Sequence, residues 1–293
     1  MDKRSIITVI LVALIATIPS AAFPQYYLGV IKGEAKKIPL GVIDVLDDAG
    51  APALRNLVLD VLQADLRRSQ VFDVLDPKKI DLNYAGKDDP TAEQVKRGGT
   101  FGLTGAAWVR LSRKGADLTL SGRLYDAVTG MRMTSKEYYG NEEMVRRMAH
   151  SFADEIVSQY TGEKGVSRTR IAFVSDKTGQ KELYVMDYDG QNPKRLTADR
   201  SLCMSPAWSP DGKVLAYVSY RDRNPDIYGL DLETGRRWKI SGFEGINISP
   251  AWAPSGRRLA AALSKDGGAE IYLMGSDGSD IERLTFGIAD NVS

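Results

Sequence analysis

Residues 205–219 read SPAWSPDGKVLAYVS, and residues 249–263 read SPAWAPSGRRLAAAL, the same phrase repeated after 44 residues. The step recurs at other landmarks. IAFVS begins at 171, LAYVS at 215 and LAAAL at 259, while Tyr184, Tyr228 and Tyr272 keep the same spacing, as do Trp208 and Trp252. Leu196-Thr197, Ile240-Ser241 and Leu284-Thr285 extend the series. A register held without insertion at so many points marks one structural unit copied along the chain.

Each copy holds four short apolar segments separated by turn chemistry: PAWS, LAYVS, IYGLDL and WKIS in the second copy, with PDG or PSG and ETG or SDG between them. Four strands in about 40–50 residues is the pattern of a β-propeller blade. Helical repeats of that length are excluded by Asp211-Gly212, Thr234-Gly235 and Asp277-Gly278, which would break a helix in its middle. A lone four-stranded sheet cannot bury both faces, so blades stack, and the Trp of each PAW is expected between them. The first copy lacks this strand, because the position 44 before Pro206 is Gly162 within GEKGVSR. Asp-rich DYDG (187–190) and SDG (276–278) lack the further oxygen ligands and terminal Glu of a calcium loop and read as turns. No metal or other cofactor is expected.

Ahead of the repeats the periodicity is mixed. IPLGVIDVL (38–46) reads as a buried strand, and Pro52 opens a helix with Leu54, Leu57, Val58, Val61, Leu62 and Leu66 on one face. VFDVLD (71–76) is a second strand. Asp89-Pro90 is expected to start a short helix stopped by Gly98-Gly99, and two strands flank a turn at Lys114-Gly115. In the second of these, Leu118, Leu120 and Leu124 face the core and Thr119, Arg123 and Tyr125 face water. An amphipathic helix capped by Asn141 and closed by Gly162 ends the region. The βαβαββα order predicts an α/β domain, helices packed on a mixed sheet. His150 falls among Arg146, Arg147 and Asp154 and reads as solvated surface; GGTFGLTG (98–105) lacks the Lys-Ser/Thr of a phosphate loop.

The first 22 residues are set apart. Lys3 and Arg4 precede an apolar run from Ile6 to Ile18, and Ser20 and Ala22 are the small residues of a cleavage site before Phe23, as in a secretory signal peptide. The run is too short to cross a bilayer comfortably, so the mature chain is not expected to span a membrane. Their removal takes Lys3, Arg4 and Asp2 from 39 basic and 38 acidic side chains and leaves the signs equal. Nucleic-acid binding is therefore not expected, since it needs a basic excess or patch. Cys203 is the only cysteine, which excludes an internal disulfide.

An exported chain with a small α/β domain ending in SQYTGEKGVSRTRIAFVS, followed by LYVMDYDGQNPKRLT and SPAWSPDGKVLAYVS, resembles the TolB family of periplasmic propeller proteins of the Tol-Pal system. The resemblance implies a signal peptide (1–22), an extended partner-binding segment (23–33), an α/β domain (34–163) and a propeller (164–293) with about three blades of an expected six. It implies a C-terminally incomplete chain and no enzymatic activity: a periplasmic scaffold that binds the lipoprotein Pal through the propeller and TolA of the inner-membrane Tol complex through its N-terminus, supporting outer-membrane integrity and cell division. Carried over by position, the TolA-binding segment holds Phe23, Tyr26, Tyr27, Leu28, Val30 and Ile31. The Pal-binding loops, just ahead of each PAW, hold Met204, Ser205, Ile246, Asn247, Ile248, Ser249, Asn291, Val292 and Ser293. The competing readings are the propeller of an exported serine peptidase and an unrelated ligand-binding propeller. For the first, these residues offer no Gly-x-Ser-x-Gly elbow and a single histidine.

Overall fold

A computed structural model of the chain describes residues 36–75 and 89–287. The expected signal peptide, the 23–33 segment with Phe23, Tyr26, Tyr27, Leu28, Val30 and Ile31, and the trio Asn291, Val292 and Ser293 lie outside the described residues.

The α/β domain is built from β1 (Ile38–Asp47), α1 (Pro52–Arg68), β2 (Phe72–Leu75), α2 (Ala92–Thr100), β3 (Gly105–Lys114), β4 (Asp117–Asp126), β5 (Arg132–Gly140) and α3 (Val145–Thr161). One sheet runs β2-β1-β3-β4-β5. Its β1 pairs in parallel with β2 and β3, and the later neighbours are antiparallel. Apolar residues at helical spacing on α1 and α3 cover one face, where Val58, Leu62, Leu66, Phe152 and Ile156 are sealed against Leu40, Val42, Leu120 and Leu124.

Several expectations are corrected. β5 was not foreseen, because RMTSKEYYG is polar and mostly exposed, as suits a sheet edge. Tyr125 is not wet: α2 covers the second face of the sheet, burying Tyr125 with Val95, Ala106 and Trp108. Helix α2 starts from a Thr91 and Gln94 capping box in place of Asp89-Pro90. It also runs through Gly98-Gly99, where Gly99 lies so near the Ala127 carbonyl that a Cβ would sit 2.6 Å from its oxygen. Asn141 makes no side-chain cap; a short 3-10 turn, Glu142–Met144, intervenes before α3. Gly162 does close α3, in the left-handed conformation at φ +74°.

His150 is the largest departure. It is buried, with Nδ1 2.5 Å from Asp65 Oδ2 on α1. A helix position flanked by charges in sequence is here turned toward other charges in the interior.

The repeats form separate sheets. Among the described residues blade I has three strands, β6 (Arg170–Ser175), β7 (Glu182–Asp187) and β8 (Lys194–Arg195). Blade II has β9 (Cys203–Trp208), β10 (Val214–Ser219), β11 (Asp226–Asp231) and β12 (Arg237–Ser241). Blade III has β13 (Asn247–Trp252), β14 (Arg258–Leu263), β15 (Glu270–Gly275) and β16 (Glu282–Arg283). Between blades II and III, Ala216, Val218 and Ile227 pack with Leu259, Ala261, Leu263 and Tyr272. Trp252 donates its indole N–H to Ala207 O at 3.1 Å, so this PAW tryptophan does tie one blade to the next. Among the described residues no helix is long and apolar enough to cross a membrane.

A close approach in the first domain gives a direct test of this packing. A Cβ on Gly122 of β4 would lie 2.6 Å from ring atoms of the fully buried Phe152. Gly122→Ala is expected to destabilise the chain by about 1–3 kcal/mol in urea unfolding; an unchanged midpoint would contradict the fit of α3 on the sheet.

Candidate protein-binding face of the propeller

The blade strands alternate in direction, so the loops between blades (198–202 and 242–246) share one end with the loops 176–181, 220–225 and 264–269. The opposite end of blade I, at its Asp187 to Gly190 turn, meets α3 of the α/β domain through the pair Arg146 and Asp189. The described residues of the expected Pal-binding loops, Met204, Ser205, Ile246, Asn247, Ile248 and Ser249, lie toward the first end, turned away from that junction.

Most of them are not loop residues. Met204, Ser205, Asn247, Ile248 and Ser249 belong to β9 and β13, and of the described ones only Ile246 precedes its strand. The reason lies in Ser-Pro. Two residues, Ser205-Pro206, oppose the single Tyr217, and Ser249-Pro250 oppose Ala261, so each strand carries a bulge. Both serines adopt positive φ, +52° and +55°, and proline, lacking an N–H, suits a position where the ladder is broken. Met204 and Ser205 are exposed, Ile248 and Ser249 half-buried.

Asn247 is wholly buried and cannot meet a partner. Its Oδ1 accepts from Ser241 Oγ at 2.6 Å and from the Phe243 N–H at 3.0 Å, while Nδ2 donates to Phe243 O at 2.7 Å. It shapes the 242–246 loop from within. That loop raises Phe243 and Ile246 to the surface, and Lys265 Nζ from the next blade stands 5.5 Å from the Phe243 ring. Phe286, 78% exposed and with Arg283 4.8 Å from its ring centre, adds an aromatic to the same end of blade III. Phe243 and Phe286 went unread in the sequence because the loop position varies between copies: Asp199, Phe243 and Gly287 stand 44 residues apart.

Beneath these loops each blade repeats a buried acid, a hydroxyl and a base. In blade I Glu182, fully buried, accepts from Thr197 Oγ1 at 2.5 Å, from Arg195 at 3.0 Å, and from the main-chain N–H groups of Asp199 at 3.2 Å and Arg200 at 3.0 Å. In blade III Glu270 accepts from Thr285, from Arg283 at 2.8 Å and from the Gly287 N–H at 2.8 Å. Blade II carries the shorter Asp226, which keeps Lys239 at 2.7 Å, while its hydroxyl partner Ser241 turns to Asn247. Burial by itself would raise the Glu182 carboxyl, but hydrogen bonds from Thr197, Arg200, Asp199 and Arg195 outweigh it and hold the group below the usual carboxylate range. The acids therefore work as staples for loop ends.

Two family models match the chain: that of the TolB amino-terminal domain over residues 26–133 and that of the TolB beta propeller domain over residues 157–293. The Tol-Pal system protein TolB of Syntrophotalea carbinolica is 38% identical over 165 residues, covering 55% of this chain and 38% of that protein. The protein of the same name from Geobacter sulfurreducens is 37% identical over 223 residues, covering 72% of this chain and 49% of that one. The chain thus spans less than half the length of these curated relatives. The crystal structure of TolB from Acinetobacter baumannii superposes with a TM-score of 0.72 at 25% identity, over 86% of this chain and 61% of that one.

The staple carries a pH signature. Because the Glu182 carboxyl is held low in the folded state, its stabilisation is present above the ordinary carboxylate range and is lost as pH falls through the folded value. Glu182→Gln is expected to lower stability at neutral pH by about 1.5–3 kcal/mol, with the gap from the parent chain narrowing below about pH 4. Urea unfolding at pH 7 and pH 3.5 measures both; a gap independent of pH would reject the ionised staple.

Proposed function

The chain belongs to the TolB family, and from that premise we propose that it is a non-enzymatic periplasmic scaffold of a Tol-Pal system, binding Pal through the propeller and TolA through its N-terminal segment. On this reading it supports outer-membrane integrity and constriction during cell division. The observation that carries the proposal for Pal is the propeller end that faces away from the α/β junction. There Met204, Phe243 and Ile246 stand exposed on loop ends and bulges fixed from below by buried polar groups. Apolar side chains on a pre-formed rim suit docking with a folded partner, since little ordering cost remains to be met on binding. For TolA, the reading rests on position and composition: Tyr26, Tyr27, Leu28, Val30 and Ile31 form a short run suited to adding a strand to a partner's sheet.

Two measurements test this division of labour. Met204→Asp and Ile246→Asp, both at exposed positions, are each expected to weaken binding of the cognate Pal by at least about tenfold with the unfolding midpoint unchanged. Deleting residues 23–33 is expected to abolish capture of TolA and spare capture of Pal. Equal loss of both partners on that deletion, or Pal binding indifferent to both substitutions, would overturn the assignment.

A further inference from the structure

At the propeller end turned away from the α/β domain, the loops 176–181, 220–225 and 264–269 close with the same turn. The N–H of Gly179 donates to Asp176 O at 2.8 Å, that of Arg223 to Tyr220 O at 2.9 Å and that of Gly267 to Ser264 O at 3.2 Å. These closing residues stand 44 apart in sequence and share a positive φ, +94°, +68° and +114°. Glycine adopts that conformation freely, and an arginine does so under strain. A Cβ built on Gly179 or Gly267 meets nothing within 4 Å, so the position looks outward and packing gives no reason for a long side chain there. Arg200, on the connection between blades I and II, is likewise exposed at a positive φ, +53°. Both arginines adjoin the apolar rim: Asn224, next to Arg223, donates to Phe243 O at 2.9 Å, and Arg200, its N–H held by Glu182, lies four residues ahead of Met204. The acids nearest them are already engaged, Asp222 by Lys239 at 2.8 Å and Tyr228 at 2.6 Å, Asp199 by Arg237 at 2.6 Å with Arg221 at 3.9 Å. Lys265 pairs with Asp266 at 2.9 Å. Among the described residues of these loops, Lys177, Lys181, Arg200 and Arg223 are left outside any ion pair, against Asp176 and Glu244.

We infer that Arg223 and Arg200 recognise the partner, and that the protein surface docking on this end carries carboxylates beside its apolar contact. The inference rests on the reading of this end as the Pal-binding surface and names the chemistry of the surface it meets. A strained conformation kept by an exposed arginine, where the neighbouring blades use glycine, points to a use for the side chain outside the fold. The guanidinium is a planar fork that suits bidentate pairing with a carboxylate. Because both arginines are exposed at the edge of the apolar contact, their charge acts chiefly on encounter. The basic excess draws an acidic surface in and speeds association, and salt screens that attraction. Met204, Phe243 and Ile246 then set how slowly the complex parts.

The turn itself supplies the test. Arg223→Gly gives blade II the residue that blades I and III carry there, removing the charge without adding strain, and Arg200→Asn uses a residue that tolerates positive φ. Binding of the 293-residue chain to the cognate Pal is followed in real time, with folding of each variant checked by circular dichroism. The double variant is expected to associate at least about fivefold more slowly at about 50 mM salt, while its dissociation stays within about twofold of the parent's. Association of the parent is expected to slow by at least about fivefold between about 50 and 500 mM salt, and that of the double variant by less. Lys213→Gln, at the opposite end of blade II, is expected to leave the rate unchanged. A parent chain that binds Pal at a rate indifferent to salt and to the double substitution overturns the acidic-partner inference and leaves the Pal assignment standing. A parent chain that does not bind Pal overturns that assignment, and this inference with it.

Discussion

A carboxylate buried near the start of the second strand of blade I and the third strand of blade III governs how loops leave the sheet. Burying such a charge costs several kcal/mol unless it is paired and fully hydrogen-bonded. Glu182 meets that condition only by drawing in Thr197, Arg195 and two main-chain N–H groups from the connection to the next blade. The charge thus dictates the path of the chain between sheets. Where the acid shortens to Asp226, the hydroxyl changes allegiance to Asn247 and the following loop lifts Phe243 outward.

The same economy appears at the junction of the domains. Asp154 and Asp189 hold the first blade to α3 through main-chain N–H groups and Arg146, while His150 brings α1 into the contact. Polar groups do here what apolar packing does between blades II and III, where Leu259, Leu263 and Tyr272 meet Ala216 and Val218. Apolar contacts are indifferent to protons and ions; polar ones are not.

Much of this was legible in the sequence, for identifiable reasons. The 44-residue step located the strands of the blades, and the helical spacing of Leu57, Val58, Val61 and Leu62 located α1. Period alone could not reveal β5, whose exposed edge carries no apolar alternation, or the burial of Tyr125, which depends on α2 closing a second face. His150 was misplaced because its neighbours in sequence are charged, and a charged neighbourhood reads the same whether it faces water or a second set of charges. The contact residues ahead of each PAW were placed by resemblance, and the strand boundaries moved most of the described ones from loops into strands, with Ser205 and Ser249 at the bulges. A proline within a run of strand residues was the available clue, since it rarely sits in an unbroken ladder.

That bulge also bears on how such a chain tolerates change. Two residues stand opposite one, so losing either Ser or Pro would do more than shorten a connection: it would leave one residue opposite one, with Met204 still facing Val218 and Ala207 still facing Ala216, and the extra residue that bends the strand would be gone. Substitutions at the dipeptide keep the bend, whereas a single deletion straightens the strand while Met204 and Cys203 keep their partners. The constant length of the copies is the trace of that grammar: letters vary between blades, and the count does not.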